Sequence, residues 1–94
     1  MTKALFSIVG MKHRGTEALV ASLQRGDAIA LRRDPHNQHD PNAIEAWYGG
    51  THIGFIKAAE AKALAKWMDN LHYAAIPGIF TITADRWPQV EVEQ

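Results

Sequence analysis

With 94 residues, no cysteine, and ten basic residues against ten acidic ones, the chain has room for one modest core, read as a single domain over residues 1–94. Disulfides, thiolate metal sites and cysteine nucleophiles are excluded, and no apolar run approaches the roughly 20 residues that cross a bilayer. The balanced charge provides no global field for nucleic-acid binding, so any such activity has to rest on local placement.

The opening Met1-Thr2-Lys3-Ala4-Leu5-Phe6 has too short an apolar segment for a secretory signal, and a cytoplasmic protein without membrane partners is expected. Leu5 to Val9 reads as a strand that ends at Gly10 or at the polar Lys12-His13-Arg14-Gly15. Thr16 is placed to cap a short helix through Leu23, since Leu19, Val20 and Leu23 share a face and Gly26 follows. Asp27 to Arg32 alternates like a half-buried strand. Ala43 to Tyr48 and His52 to Ile56 flank Gly49-Gly50, a strong hairpin signal because glycine supplies the positive φ of tight turns. Ala58 to Asn70 carries Ala61, Leu64, Ala65 and Met68 at helical spacing, with Lys62 and Lys66 toward the other side. Gly78 to Thr83 and the shorter Val90 to Val92 complete a set of strands. Such a chain forms a mostly antiparallel α+β or barrel-like fold.

Charge is unevenly placed. Between Met11 and His39, Lys12, Arg14, Arg25, Arg32 and Arg33 outnumber Glu17, Asp27 and Asp34, and three histidines are added. The last ten residues carry Asp85, Glu91 and Glu93 against Arg86 alone. Scattered solubilising charge is the competing reading of this pattern.

The segment Arg33-Asp34-Pro35-His36-Asn37-Gln38-His39-Asp40-Pro41-Asn42-Ala43-Ile44 concentrates directional polar groups in one loop, which marks function more than connection. Pro41 drives Asp40 toward extended backbone, which restricts the direction of its carboxylate. Asn37 and Asn42 can bond back to nearby backbone and hold the loop in one shape.

These residues resemble the HIRAN domain. The resemblance runs from Phe6 to about Asn70 and rests on five blocks in order. They are Ile8-Val9-Gly10; Gly26-Asp27 leading into Leu31-Arg32-Arg33-Asp34-Pro35; Asn37 with Asp40-Pro41-Asn42-Ala43-Ile44; Ile53-Gly54-Phe55-Ile56; and Ala61 with Leu64-Ala65. The family implies an OB-like antiparallel β-barrel, here expected with one long and one short helix. It also implies a non-enzymatic module that binds single-stranded DNA at a free 3′ hydroxyl. In larger proteins the module accompanies DNA translocases at stalled forks, so a helicase or another repair protein is an implied partner.

Carried onto this chain, the resemblance makes Asp40 the carboxylate that accepts from the terminal hydroxyl. Lys12, His13 and Arg14 follow the first strand where the family has a basic residue and then aromatics. His13 and Arg14 replace those aromatics, and His39 stands where a tyrosine commonly precedes the aspartate. Asn37 frames the loop, Phe55 keeps an apolar ring at the site, and Lys57 is available to a phosphate. No cofactor or metal is implied.

Four other readings remain open. Asp40 can be a turn residue bonding its own backbone, and Phe55 can be plain core. His36, His39 and Asp40, with His13, offer imidazole and carboxylate groups of the kind a metal-dependent hydrolase uses. Trp47, Trp67 and Trp87 are candidate anchors of a protein-interaction module.

Overall fold

Period-two alternation, interrupted once at Ile53, turns alternate strand residues inward, and in a computed structural model describing residues 1–94 those residues meet at the centre of a barrel. The strands are β1 (Lys3–Val9), β2 (Ala28–Arg33), β3 (Ile44–Tyr48), β4 (Thr51–Ile56), β5 (Ala75–Ile82) and β6 (Pro88–Glu93). They close in the order β1-β4-β3-β2-β5-β6, every neighbouring pair antiparallel, and β6 returns to β1 from Lys3↔Glu93 to Ser7↔Gln89. Closure leaves no long free strand edge. Ile8, Ile29, Leu31, Ile44, Ile53, Phe80, Val90 and Val92 fill the interior. The OB-like barrel expected from the resemblance is the observed fold.

The helix α3 (Ala58–Asn70) has the expected bounds. Ala61, Leu64, Ala65 and Met68 are buried in the core, while Lys62 and Lys66 are exposed. Glu60 in its first turn ties it to β1, accepting from the Ser7 backbone N–H at 2.6 Å and from Ser7 Oγ at 3.2 Å. The β3–β4 hairpin also forms as expected, with Gly49 at φ 57° and a register shift between Ala46 and Trp47.

Three strands run longer than their sequence pattern indicated by two or more residues, β1 by starting at Lys3 and not Leu5. β5 starts at Ala75 and not Gly78, despite Pro77. Phe80 N–H donates to Asp27 O on the β2 side, so by alternation the nitrogen of Pro77 faces β6. There the β5–β6 ladder runs only from Ile79↔Glu91 to Ile82↔Pro88, so the absent N–H costs no ladder bond. β6 likewise extends over Pro88–Glu93, beyond the expected Val90 to Val92.

The region between β1 and β2 departs further. Lys12 to Arg14 is not merely a strand end: Met11–Arg14 forms a one-turn helix, α1, between Gly10 at φ 84° and Gly15 at φ 69°. Glycine at both ends permits these left-handed turns. A second short helix, α2 (Glu17–Ser22), follows, so the barrel carries one long and two short helices. Thr16 precedes α2 but its side chain does not cap it. It is buried, and its Oγ1 donates to Ile53 O at 2.5 Å, fastening α1 and α2 to β4. Thr16→Val keeps the shape and strands that carbonyl, so it should cost about 1–2 kcal/mol. The check is a lower urea midpoint with an unchanged slope.

Candidate nucleic-acid interface

The polar loop between β2 and β3 is held at its base by Arg33, whose side chain is only 7% exposed. Its Nη1 donates to Ala43 O at 2.8 Å and its Nη2 to Pro41 O at 3.0 Å. Nε and Nη2 reach Asp69 Oδ1 and Oδ2 on α3 at 2.9 and 3.1 Å. One guanidinium therefore joins both ends of the loop to the long helix, the bidentate geometry that suits arginine and not lysine. Asp34 N–H closes the same base by donating to Ala43 O at 3.0 Å.

The Arg33 hydrogen bonds hold the Asp69 carboxyl below its ordinary range. A carboxyl lowered on folding adds stability above its unfolded pKa, about 3.9, and loses it as pH falls through the folded value. Denaturation midpoints of wild type and Asp69→Asn should thus differ by a constant amount above about pH 5 and converge in acid. A gap that widens in acid would contradict the assignment.

Within the loop, Asn37 is the organising side chain. Its Oδ1 accepts from the backbone N–H groups of His39 and Asp40 at 2.9 and 3.1 Å, and its Nδ2 donates to Asp34 Oδ2 at 3.0 Å. Asn42 takes part through its backbone only: its N–H donates to Asp40 Oδ1 at 2.8 Å. The turn reading of Asp40 therefore holds for one oxygen. Oδ2 accepts no hydrogen bond from within the chain.

Asn37, His39 and Asp40 face a groove of about 250 Å³ whose other walls are Val9 from β1, Phe55 and Ile56 from β4, Ala43, and Ala58 at the start of α3. Phe55 is half-buried and not core, with its ring edge-on to His52 at 4.8 Å. The groove lies at the short β1–β4 ladder, which consists of Ile8↔Ile56 and Val9↔Phe55. Gly54 makes that approach possible, because a β-carbon there would sit 2.5 Å from Val9 O.

Four candidates thus share the groove, and four lie outside it. Lys12, His13 and Arg14 are exposed on α1. Arg14 Nε donates to His52 O at 2.9 Å, which lays this cation along β4. Lys57 is exposed between two groove residues without lining the groove, and its N–H donates to Ser7 O at 2.9 Å. His36, His39 and Asp40 do not converge with a further ligand, and no group of three or more His, Asp or Glu able to hold a metal forms. Among the tryptophans, Trp67 is half-buried against Tyr73 and Trp87 is 45% exposed. Trp47 packs against His52, whose pKa is lowered by burial first and then by Arg14. The residue-by-residue reading did not single out Val9 or His52 as part of this surface. The hairpin register, Trp47 opposite His52, was the available signal for the latter.

The HIRAN domain family model matches residues 3–93, nearly the whole chain and beyond the part in which the sequence blocks are clear. The chain belongs to the HIRAN family. HIRAN domains are DNA-binding modules and not catalytic ones. This HIRAN domain is similar to a protein from Lactobacillus plantarum seen in a crystal structure. The TM-score is 0.72, with 25% identity over 96% of this chain and 95% of that one. It is also similar to the HIRAN domain of human HLTF, with TM-score 0.67, 24% identity, and coverage of 98% and 77%. The latter likeness supports the fold. A rice protein, the Fanconi-associated nuclease 1 homolog of Oryza sativa subsp. japonica, is 40% identical over 60 residues. Those residues are 60% of this chain and 6% of the nuclease homolog. No helix is long and apolar enough to cross a membrane.

Proposed function

We propose that this HIRAN domain binds single-stranded DNA and seats a free 3′-hydroxyl end in the groove beside Asp40, as a non-enzymatic cytoplasmic module of DNA repair or fork processing. The observation that carries the reading is Asp40 itself: one carboxylate oxygen is committed to the Asn42 turn and the other has no partner in the chain, in a residue that lines the groove. A terminal hydroxyl is a neutral donor, whereas a continuing phosphodiester brings negative charge and no donor. A fixed carboxylate therefore accepts from the end and repels the chain interior. The groove, about 250 Å³, lies below the roughly 300–1,000 Å³ of pockets that enclose drug-sized ligands, so it takes the sugar end of the strand and leaves the rest of the terminal nucleotide outside.

Phosphates need cations or N–H donors. Lys12, His13 and Arg14 on α1, and Lys57 beside the groove, supply these outside the apolar walls. Phe55 and the planar groups of His39, His13 and Arg14 serve for stacking, arginine better than histidine. With histidine and arginine in place of the family's aromatics, affinity is expected to lean more on charge and to fall more steeply with salt. The rice nuclease homolog, which contains a matching segment, supports a repair setting with a nuclease as partner, and a helicase partner is what the family resemblance implies.

The test is binding of otherwise identical single strands that end in 3′-OH, in 3′-phosphate, or with only the 5′ end free. Tighter binding of the 3′-OH strand is expected. Equal affinity for 3′-OH and 3′-phosphate ends removes the end-reading role.

A further inference from the structure

A second organised array covers the outer face of β2, β3 and β4. Leu31, Ile44, Ala46 and Ile53 turn inward, which leaves Arg32, Glu45, Trp47 and His52 on the outside, and the register shift that leaves Ile53 unpaired puts Phe55 on the same outer face. Register sets Arg32 opposite Glu45, Glu45 opposite Phe55, and Trp47 opposite His52. Starting from Phe55 in the groove wall, the His52 ring lies edge-on to it at 4.8 Å, with an interplanar angle of 73°. Trp47 stacks on His52 at 5.2 Å and 12°, and the Arg32 guanidinium lies over Trp47 at 4.8 Å.

The array is braced. Trp47 Nε1 donates to Glu45 Oε1 at 2.9 Å, and the His52 Nε2 atom is 2.9 Å from Gly54 O, so both rings are fixed in rotation. Arg32 is exposed and its side chain makes no hydrogen bond or ion pair within the chain, so the outer face of its plane is open. Arg14 commits only Nε, to His52 O, and keeps its terminal nitrogens beside the row. A row of planar groups therefore leads out of the Asp40 groove with a cation alongside it. Sheets that hold single strands combine these same elements, stacking planes and positive charge.

We propose that this row is a second subsite, which carries the nucleotides preceding the terminal one. It stacks a base on the Arg32 guanidinium and grips a phosphate with Arg14. The proposal rests on, and deepens, the reading that a 3′ end occupies the groove. Trp47, covered by Arg32 and His52, is the support that holds the guanidinium flat and not the platform itself. Glu45 repels phosphate from the middle of the row and turns the backbone toward α1.

The experiment is fluorescence anisotropy with 3′-OH oligonucleotides lengthened one residue at a time from a dinucleotide. Wild type should gain affinity over the first added nucleotides and then level off. Arg32→Lys keeps the charge and removes the plane; Trp47→Ala removes the support. Each should flatten the gain, losing roughly five- to a hundredfold on the longest strand, with dinucleotide affinity and end preference unchanged. If Arg32→Lys follows wild type at every length, or wild type shows no gain with length, the second subsite is wrong while the end reading stands. If wild type binds no strand of any length, both fail. Arg32 is exposed, so Arg32→Lys carries the test even if Trp47→Ala does not fold.

Discussion

Asp40→Asn should narrow the preference for a 3′-OH over a 3′-phosphate end by about tenfold. The amide keeps an oxygen for the Asn42 N–H, which in wild type donates to Asp40 Oδ1 at 2.8 Å, so the turn survives. Two things are lost together: the charge assistance to the hydroxyl bond and the repulsion of a terminal phosphate. A hydrogen bond to a charged group is worth about 1.5–3 kcal/mol against about 0.5–1.5 for a neutral one, and each 1.4 kcal/mol is about tenfold. The change should be visible as tighter binding of the 3′-phosphate strand as well as weaker binding of the 3′-OH strand. Asp40→Ala removes the turn acceptor too and should weaken all strands. Lys12→Ala and Arg14→Ala should lower every affinity alike and flatten the salt dependence, because phosphate contacts carry no end information. An unaltered preference in Asp40→Asn would show that the carboxylate does not read the end.

Gly54→Ala should lower the melting temperature by roughly 5–20 °C and abolish binding. Its φ is ordinary; the constraint is space. The added β-carbon would meet Val9 O at 2.5 Å and Ile8 Cγ2 at 3.1 Å. Val9 O belongs to backbone and cannot swing aside, so the strands themselves must part. Overpacking of this kind costs about 1–3 kcal/mol, and in a domain of this size each kcal/mol shifts the midpoint by about 4–8 °C. The β1–β4 ladder has only the Ile8↔Ile56 and Val9↔Phe55 pairs, and Val9 and Phe55 are groove walls, so stability and binding should fail together. Gly50 is the control: a β-carbon there would meet no atom within 4 Å and φ is not positive, so it should accept alanine. Gly54→Ala that melts and binds like wild type would refute this account of the Ile53-Gly54-Phe55-Ile56 block.

What the sequence by itself determined lies close along the chain. The 58–70 helix follows from apolar residues three and four apart, and the β3–β4 hairpin from Gly49-Gly50. The shape of the polar loop was legible in Asn37, which bonds within three residues of itself. The five ordered blocks were enough to identify the family and its barrel. Tertiary structure alone decided the rest. Arg33 was one basic residue among several in the sequence, yet it becomes the clamp of the loop by reaching Asp69, 36 positions away. Thr16 read as a cap and became a tie to Ile53, 37 positions away. Lys12, His13 and Arg14 lie on a one-turn helix outside the groove, while Val9 supplies a wall of it. Periodicity and turn chemistry act over a few residues, so they specify elements. Barrel closure pairs residues as distant as Lys3 and Glu93, and only that closure sets which side chains share a groove.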